Sequence, residues 1–338
     1  MTRHDALLVD LDGTVYAGPD AIPGAVEALE AARGRGATVS YVTNNASRTP
    51  GAVAGHLADL GLTVTEDDVV TSAQAGAAVL AEQLDPGATV LVLGTDALAD
   101  EITAVGLKPV RTHDDEPVAV VQGHSPDTGW RQLAEATLAL ADGATWVACN
   151  IDPTLPSERG LLPGNGSMVA ALRHASRQEP QVAGKPAAPL LRQAMERVGA
   201  HTPLVVGDRL DTDIAGGHAV GAESLLVLTG VSTAADLLAA PPEQRPTYVA
   251  AGLEALGDLD AVRVGHDDGW RATAHDDGSL ELAAPADAGD TAEDRAAAVR
   301  ALCTAHWDAV GDDPRAPTVR AADEVAGRTI SALGLDAG

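Results

Sequence analysis

Asp5-Ala-Leu-Leu-Val-Asp-Leu-Asp-Gly-Thr-Val15 decides the fold. Its apolar run, Ala6 to Val9, reads as a strand covered on both faces of a sheet, and it stops on two carboxylates, Asp10 and Asp12, followed by Gly13 and Thr14. Asp and Gly also form turns, so the stretch alone leaves a plain turn open. In a parallel α/β sheet, ligands bind beyond the carboxyl ends of the strands, which is where Asp10 and Asp12 would stand.

The cadence that follows supports a sheet of that kind. A helix opens at Ile22-Pro-Gly-Ala25 and closes at Gly34 and Gly36, a strand runs from Ala37 to Val42 into Thr43-Asn44-Asn45, and a helix from Pro50 leads to Val69-Val70-Thr71. Strands at Thr89 to Leu93, Val118 to Gln122 and Thr145 to Cys149 then restart the alternation, with helices at Asp96 to Val105 and Trp130 to Ala141. From Val182 the opening style returns: a helix from Ala188 to Val198, the strand Pro203-Leu-Val-Val-Gly-Asp208, a helix from Thr212 to Val220, and a strand from Ser224 to Leu228. Past Gly252 the texture changes to Gly-Asp pairs, a hairpin expected around His266-Asp-Asp-Gly-Trp270, and an Ala-rich helix from Ala292 to His306. The expected fold class is α/β: a doubly wound, Rossmann-like parallel-sheet core with an inserted α/β unit and a small C-terminal α+β appendage.

Composition bounds the function. The 338 residues suggest two or three domains, and 45% hydrophobic residues are enough for real cores although Phe is absent. A net charge of −27 argues against nucleic acid or an anionic membrane as partner. No apolar run is long enough for a membrane span, and nothing at Thr2-Arg3-His4 resembles a signal peptide, so a cytoplasmic protein is expected. Cys149 and Cys303 fit neither a disulfide framework nor a metal motif. Lys108 and Lys185 are the only lysines beside twenty arginines, which suggests that an ammonium is needed somewhere, since the two cations are not interchangeable. Lys108, before Pro109, reads as a surface residue.

Residues at the expected strand ends share a chemistry: Asp10 and Asp12, Thr43 to Asn45, Lys185, and Asp208 with Asp211 and Asp213. Transfer of a phosphate monoester needs an in-line nucleophile, cations on the non-bridging oxygens and an acid for the leaving alcohol. Asp10 can attack, Asp10 and Asp208 suit Mg²⁺ as hard oxygen ligands, Lys185 adds a second cation, and Thr43 with the Asn44 and Asn45 amides offers donors to phosphate. Asp12 can protonate the leaving group and later deprotonate water. Asp211 reads equally as a solvated loop acid or a water-mediated neighbour of the metal. Other motifs fail: no His-x-His or His-Glu-x-x-His spacing supports zinc, Gly184-Lys185-Pro186 is no nucleotide loop, and Gly123-His-Ser-Pro-Asp127 lacks the second glycine of a nucleophile elbow.

Asp10-Leu-Asp-Gly-Thr14, Thr43, Lys185 and Gly207-Asp-Arg-Leu-Asp-Thr-Asp213 resemble, in order, the four motifs of the haloacid dehalogenase-like phosphatases. Asn150-Ile-Asp152, Pro163-Gly-Asn-Gly-Ser167 and Gly184-Lys-Pro186 resemble the branch with a type-IIA cap, and Pro163 to Ser167 reads as a hinge or substrate-facing loop. The resemblance implies a catalytic core at 1–71 and 182–245, a cap at 72–181, and an appendage at 252–338 similar to part of an acetyltransferase. It implies Asp10 as nucleophile, Asp12 as general acid/base, Mg²⁺ held by Asp10, the Asp12 carbonyl and Asp208, and Asp213 behind them. The implied substrate is a small phosphorylated metabolite, with glycerol 3-phosphate preferred over a nucleoside monophosphate, phosphoglycolate or pyridoxal phosphate; a homodimer is open. Gly123-His-Ser125 departs from the Gly-Phe/Leu-Asp usual in the branch, which puts the substrate in question. A non-enzymatic or acetyl-binding role of the tail is the alternative from another class, although 252–338 lacks the Gly-rich loop that would hold a cofactor pyrophosphate. A dehalogenase or phosphotransferase on the same core is a further alternative.

Overall fold

The structure, a computed structural model, describes residues 3–157 and 159–336; the outermost two residues of the expected core and appendage, and residue 158 of the expected cap, lie outside these. The chain forms two compact units, residues 1–39 with 200–338, and residues 40–199, so the division falls within the strand Thr38–Thr43.

In the first unit the strands Tyr248–Ala250, Glu223–Val227, Pro203–Gly207 and Ala6–Val9 lie side by side in that order, all parallel. Ala6, Leu7, Leu8 and Val9 are each at most 2% exposed, as a strand covered on both faces requires. Because the strands are parallel and in register, Ala6 opposite Pro203 and Val9 opposite Val206, the residues that follow Val9 and Gly207 emerge at the same end of the sheet.

Two local expectations shift. The helix expected from Thr212 begins earlier, as a π-turn over Leu210–Ile214 that continues into Ala215–Ala219. The tail hairpin turns at Asp276-Asp-Gly278, pairing Arg271–Ala274 with Leu280–Ala283, and not at 266–270. Gly278 has φ +80° and His275 N donates to Ser279 O at 2.9 Å, closing the turn between two runs able to form strands; before Gly269 no such run exists.

The tail is no loose addition. The strand Val319–Ala321 joins the hairpin, and the helices Ala292–Val310 and Glu324–Ala332 pack on it. Leu280, Leu282, Leu302, Cys303 and Ile330 of the tail share one hydrophobic cluster with Leu210, Ile214, Leu226, Leu237 and Val249 of the parallel-sheet layer. Arg300 crosses this seam: Nε and Nη2 donate to Asp268 Oδ2 at 2.9 and 2.6 Å, and Nη1 donates to Val249 O at 2.8 Å. At the opposite end of the sheet, His4 Nε2 lies 3.2 Å from Glu223 Oε2, beside Tyr248, whose hydroxyl donates to the same oxygen at 2.9 Å.

The second unit holds a parallel sheet ordered Gln181–Val182, Thr145–Ala148, Ala119–Gln122, Thr89–Leu93, Lys108–Val110. The two outer strands are too short to leave a periodic signal in the sequence. Lys108 begins an edge strand with its side chain exposed. Ser40 to Thr43 continue the strand that pairs in parallel with Val69–Thr71. Within Pro163 to Ser167, Gly164 caps the helix Asn165–Ser176, and side chains at Gly164 and Gly166 would collide with the carbonyls of Asp152, Thr154 and Ile151. Among the described residues no helix is long and apolar enough to cross a membrane.

Arg300→Met should lower unfolding stability by about 3–5 kcal/mol in denaturant titrations, because Asp268 and the Val249 carbonyl lose a buried partner. Burial holds the His4 imidazole below its usual pKa, against an opposing pull from Glu223. The unfolded chain therefore takes up the proton first, and the contribution of His4 is present above the unfolded value and lost as pH falls through it. The thermal midpoint should drop between about pH 7.5 and about pH 5.5, and drop less in His4→Gln, as calorimetry would show.

Candidate active site

Beyond Val9 the chain folds back at once. Val15 N and Tyr16 N both donate to Leu11 O, Gly13 N donates to Tyr16 O at 2.8 Å, and Gly13 takes φ +84°, a conformation that only glycine adopts without strain. This turn leaves Asp10 half-buried, Asp12 exposed and Thr14 fully buried.

Asp208 follows the neighbouring strand Pro203–Gly207 and is 0% exposed. Val231 N donates to its Oδ2 at 2.7 Å and Thr14 Oγ1 lies 3.4 Å from its Oδ1. A Cβ at Gly13 or at Gly230 would strike the Asp208 carboxylate, so both glycines are needed for close approach of the backbone. Thr229 Oγ1 donates to Gly13 O at 2.7 Å, tying the loop after Glu223–Val227 to the loop after Ala6–Val9.

The π-turn aims Asp213 back at the strand end. Its Oδ2 accepts from Arg209 N at 3.1 Å, and its carboxylate fills the space that a Cβ on Gly207 would take. Such turns widen a helix by one residue and recur at functional sites. Asp211 points elsewhere: it forms a two-pronged ion pair with Arg209 at 3.0 and 2.7 Å and stays exposed.

Asp10, Asp208 and Asp213 each offer one oxygen, all within 4.8 Å of one another. Clustered carboxylate oxygens are the hard donors that Mg²⁺ prefers, so the chemistry of the set suits that ion. Three carboxylates this close, two of them at most 1% exposed, repel one another where they are charged, and a divalent cation would relieve that repulsion.

In the second unit another constellation forms by itself. Asn44 Nδ2 donates to Lys185 O at 3.0 Å while Lys185 N donates to Asn44 Oδ1 at 2.8 Å, a reciprocal amide clamp, and Asn44 Nδ2 also reaches Asp152 at 3.3 Å. The Asn44 carbonyl accepts from Ser72 Oγ at 2.6 Å and from Asn150 Nδ2 at 2.7 Å. Lys185 is 2% exposed and its Nζ donates to Val42 O at 3.1 Å. Thr43 Oγ1 accepts from Asn45 N, and Asn45 Oδ1 accepts from Ser47 N and Ser47 Oγ, which fixes the turn at the strand end. His124, after the strand Ala119–Gln122, is partly buried, and burial lowers its pKa.

Sequence reasoning missed Thr14 and the Thr229-Gly-Val231 loop, although a Thr-Gly pair after an apolar run was a readable sign. It also missed that the Asn44 side chain serves Lys185. The thiols of Cys149 and Cys303 are buried, and burial pushes Cys149 up to about 12, so neither acts as a nucleophile.

Residues 7–108 match the family model for haloacid dehalogenase-like hydrolases and residues 182–256 a second model of HAD-hydrolase-like proteins. Residues 267–335 match a GCN5-related N-acetyltransferase-like domain. The chain is 52% identical over 327 residues to a D-glycerol 3-phosphate phosphatase of Mycobacterium tuberculosis, covering 95% of this chain and 92% of that protein. A crystal structure of glycerol phosphate phosphatase from Mycobacterium tuberculosis in complex with magnesium superposes with a TM-score of 0.90 at 50% identity, covering 98% of each chain. An acid sugar phosphatase of Staphylococcus aureus is 38% identical over 263 residues, 77% of this chain and 100% of that protein. With these matches running through both parts of the parallel-sheet layer and through the acidic strand ends, the chain belongs to the haloacid dehalogenase-like hydrolases.

Proposed function

We propose that this protein is a Mg²⁺-dependent phosphomonoesterase acting on glycerol 3-phosphate through an aspartyl-phosphate on Asp10. The observation that carries the reading is the approach of Asp10, Asp208 and Asp213 at the end of two parallel strands. The D-glycerol 3-phosphate phosphatase at 52% identity over nearly the whole chain supports the substrate. Residues 1–71 and 182–245 serve as catalytic core, 72–181 as cap and 252–338 as the appended tail. The enzyme acts in the cytoplasm, where phosphorylated metabolites are held, and works as a homodimer.

Asp10, Asp208 and the Asp12 carbonyl would hold a Mg²⁺ ion, with Asp213 fixing the arrangement from behind; such an ion would neutralise phosphate charge and so ease the approach of a carboxylate to a dianion. Asp10 Oδ attacks phosphorus in line, and the phosphorus to alkoxide bond breaks. Asp12, exposed on the glycine turn, gives its proton to the departing glycerol oxygen and then takes one from the water that hydrolyses the acyl phosphate, freeing Asp10 and inorganic phosphate. Lys185 supplies a compact positive charge to the non-bridging oxygens. The Thr43 hydroxyl and the backbone N–H of Asn44 donate to the same oxygens, since the Asn44 side-chain amide is already committed to Lys185 and Asp152, and the Asn45 N–H to Thr43 Oγ1. Asp211 remains a neighbour acting through water at most.

Purified protein with Mg²⁺ should release free phosphate from glycerol 3-phosphate with a higher kcat/KM than from phosphoglycolate, pyridoxal phosphate or a nucleoside monophosphate; another ester leading that panel would overturn the substrate. Asp10→Asn should cut kcat by at least about a thousandfold with unchanged folding. Lys185→Arg should lose about a hundredfold, because the planar guanidinium cannot replace the ammonium in a buried slot.

Gly230→Ala should weaken Mg²⁺ affinity in calorimetric titration by pushing Asp208 aside, and adding Mg²⁺ should raise the thermal midpoint of the wild type more than that of the variant.

A further inference from the structure

The helix Trp130–Ala141 buries one face against its sheet: Ala136, Ala139 and Leu140 are at most 1% exposed and join Leu91, Leu93, Val120 and Trp146 in a single cluster. At about 100° per residue, Trp130, Ala134, Leu138 and Ala141 fall within about 80° of one another on the opposite side. That side should be polar on a helix facing water. Here Trp130 is 81% exposed and Leu138 is 50% exposed. Nothing local accounts for the tryptophan: the turn before the helix is closed by Gln132, whose Oε1 accepts from Gly129 N and whose Nε2 donates to Asp127 O.

We propose that this outer face is where a second copy of the chain docks, the two helices running antiparallel about a two-fold axis. It rests on the homodimeric part of the reading above and not on its chemistry. The charges on one edge of the stripe select the arrangement. Arg131 stands near the start of the helix and Asp142 just past its end, both exposed on the same edge; Glu135 between them is held by the chain's own His113, whose N donates to its Oε2 at 2.7 Å. A two-fold that reverses the helix direction lays this edge against its own copy with the ends exchanged. Arg131 of each copy then meets Asp142 of the other, about 16 Å along the axis from its own. Trp130 of each lies over the Leu138 and Ala141 end of the other, and Ala134 beside Leu138 allows the axes to approach to about 8–10 Å. Tryptophan is among the side chains most enriched where such contacts draw their binding energy. With a net charge of −27 per chain, long-range repulsion opposes pairing, but it is screened beyond about 8 Å at physiological ionic strength. The dimer therefore forms in physiological salt and loosens in dilute buffer.

Sedimentation velocity on the full chain across a concentration series tests this, with activity on glycerol 3-phosphate measured in parallel so that failure of the substrate and failure of the interface are told apart. The expected result is a monomer–dimer equilibrium whose Kd rises at least about tenfold in Leu138→Asp and in Trp130→Ala, while both surface variants keep the thermal midpoint of the wild type. Arg131→Glu should weaken the dimer, and the combination with Asp142→Arg should restore it; the Asp142 contact with His113 Nε2, at 2.7 Å on the surface, contributes little to folding. A wild type that stays monomeric throughout, a dimer indifferent to Leu138→Asp, or a charge reversal that fails to restore association would each overturn the proposal.

Discussion

Mutual repulsion among three carboxylates is the constraint on which the rest of this protein depends. Asp10, Asp208 and Asp213 meet at the end of a sheet whose strands are almost wholly excluded from water, where the interaction between like charges is several times stronger than in bulk solvent. Such an arrangement needs a backbone that holds it, and a cation would relieve its repulsion. The backbone does so through absences: no side chain at Gly13, Gly207 or Gly230 occupies the space into which Asp208 and Asp213 press. Val231 N and Arg209 N then fix one oxygen of each acid, so the carboxylates stand in place before any ion arrives.

The same logic, with the sign reversed, describes the second unit. A lysine at 2% exposure is a desolvated charge, and the chain answers it locally with the Val42 carbonyl. Asn44 holds the Lys185 backbone from both sides, so the ammonium is positioned by an amide that a reader of the sequence would assign to substrate. That both elements are preorganised fits a reaction in which positioning and electrostatics do most of the work.

What could be read from the chain follows from which signals are local. Ala6 to Val9 and Pro203 to Gly207 are continuous apolar runs closing on acids, so their place in a buried parallel sheet, with Asp10 and Asp208 beyond its carboxyl end, was legible. Lys185 stood out by rarity. The two-residue strand Gln181–Val182 and the three-residue strand Lys108–Val110 carry no periodicity, and they exist only because a neighbouring strand offers hydrogen bonds. Asp211 illustrates a different limit. Three acids in the six residues after Gly207 look alike in sequence, and only the π-turn decides that Asp213 turns inward while Asp211 turns to Arg209.

The tail shows why a family boundary need not be a physical one. Residues 267–335 match an acetyltransferase-like model, yet Leu302, Cys303 and Ile330 complete the same cluster as Leu226 and Val249 of the parallel sheet. Its strands Leu280–Ala283 and Val319–Ala321 are hydrogen-bonded to each other along their length, and the helix between them starts on Thr291 with Glu293 and Asp294 already in its first turn. Acids there make the helix N-terminus a poor host for a pyrophosphate, which would have to displace them from the positive end of the dipole. Arg300 joins the tail to the Val249 carbonyl where a free domain would present solvent-facing surface. The tail is therefore part of the core on which the acidic strand ends are built.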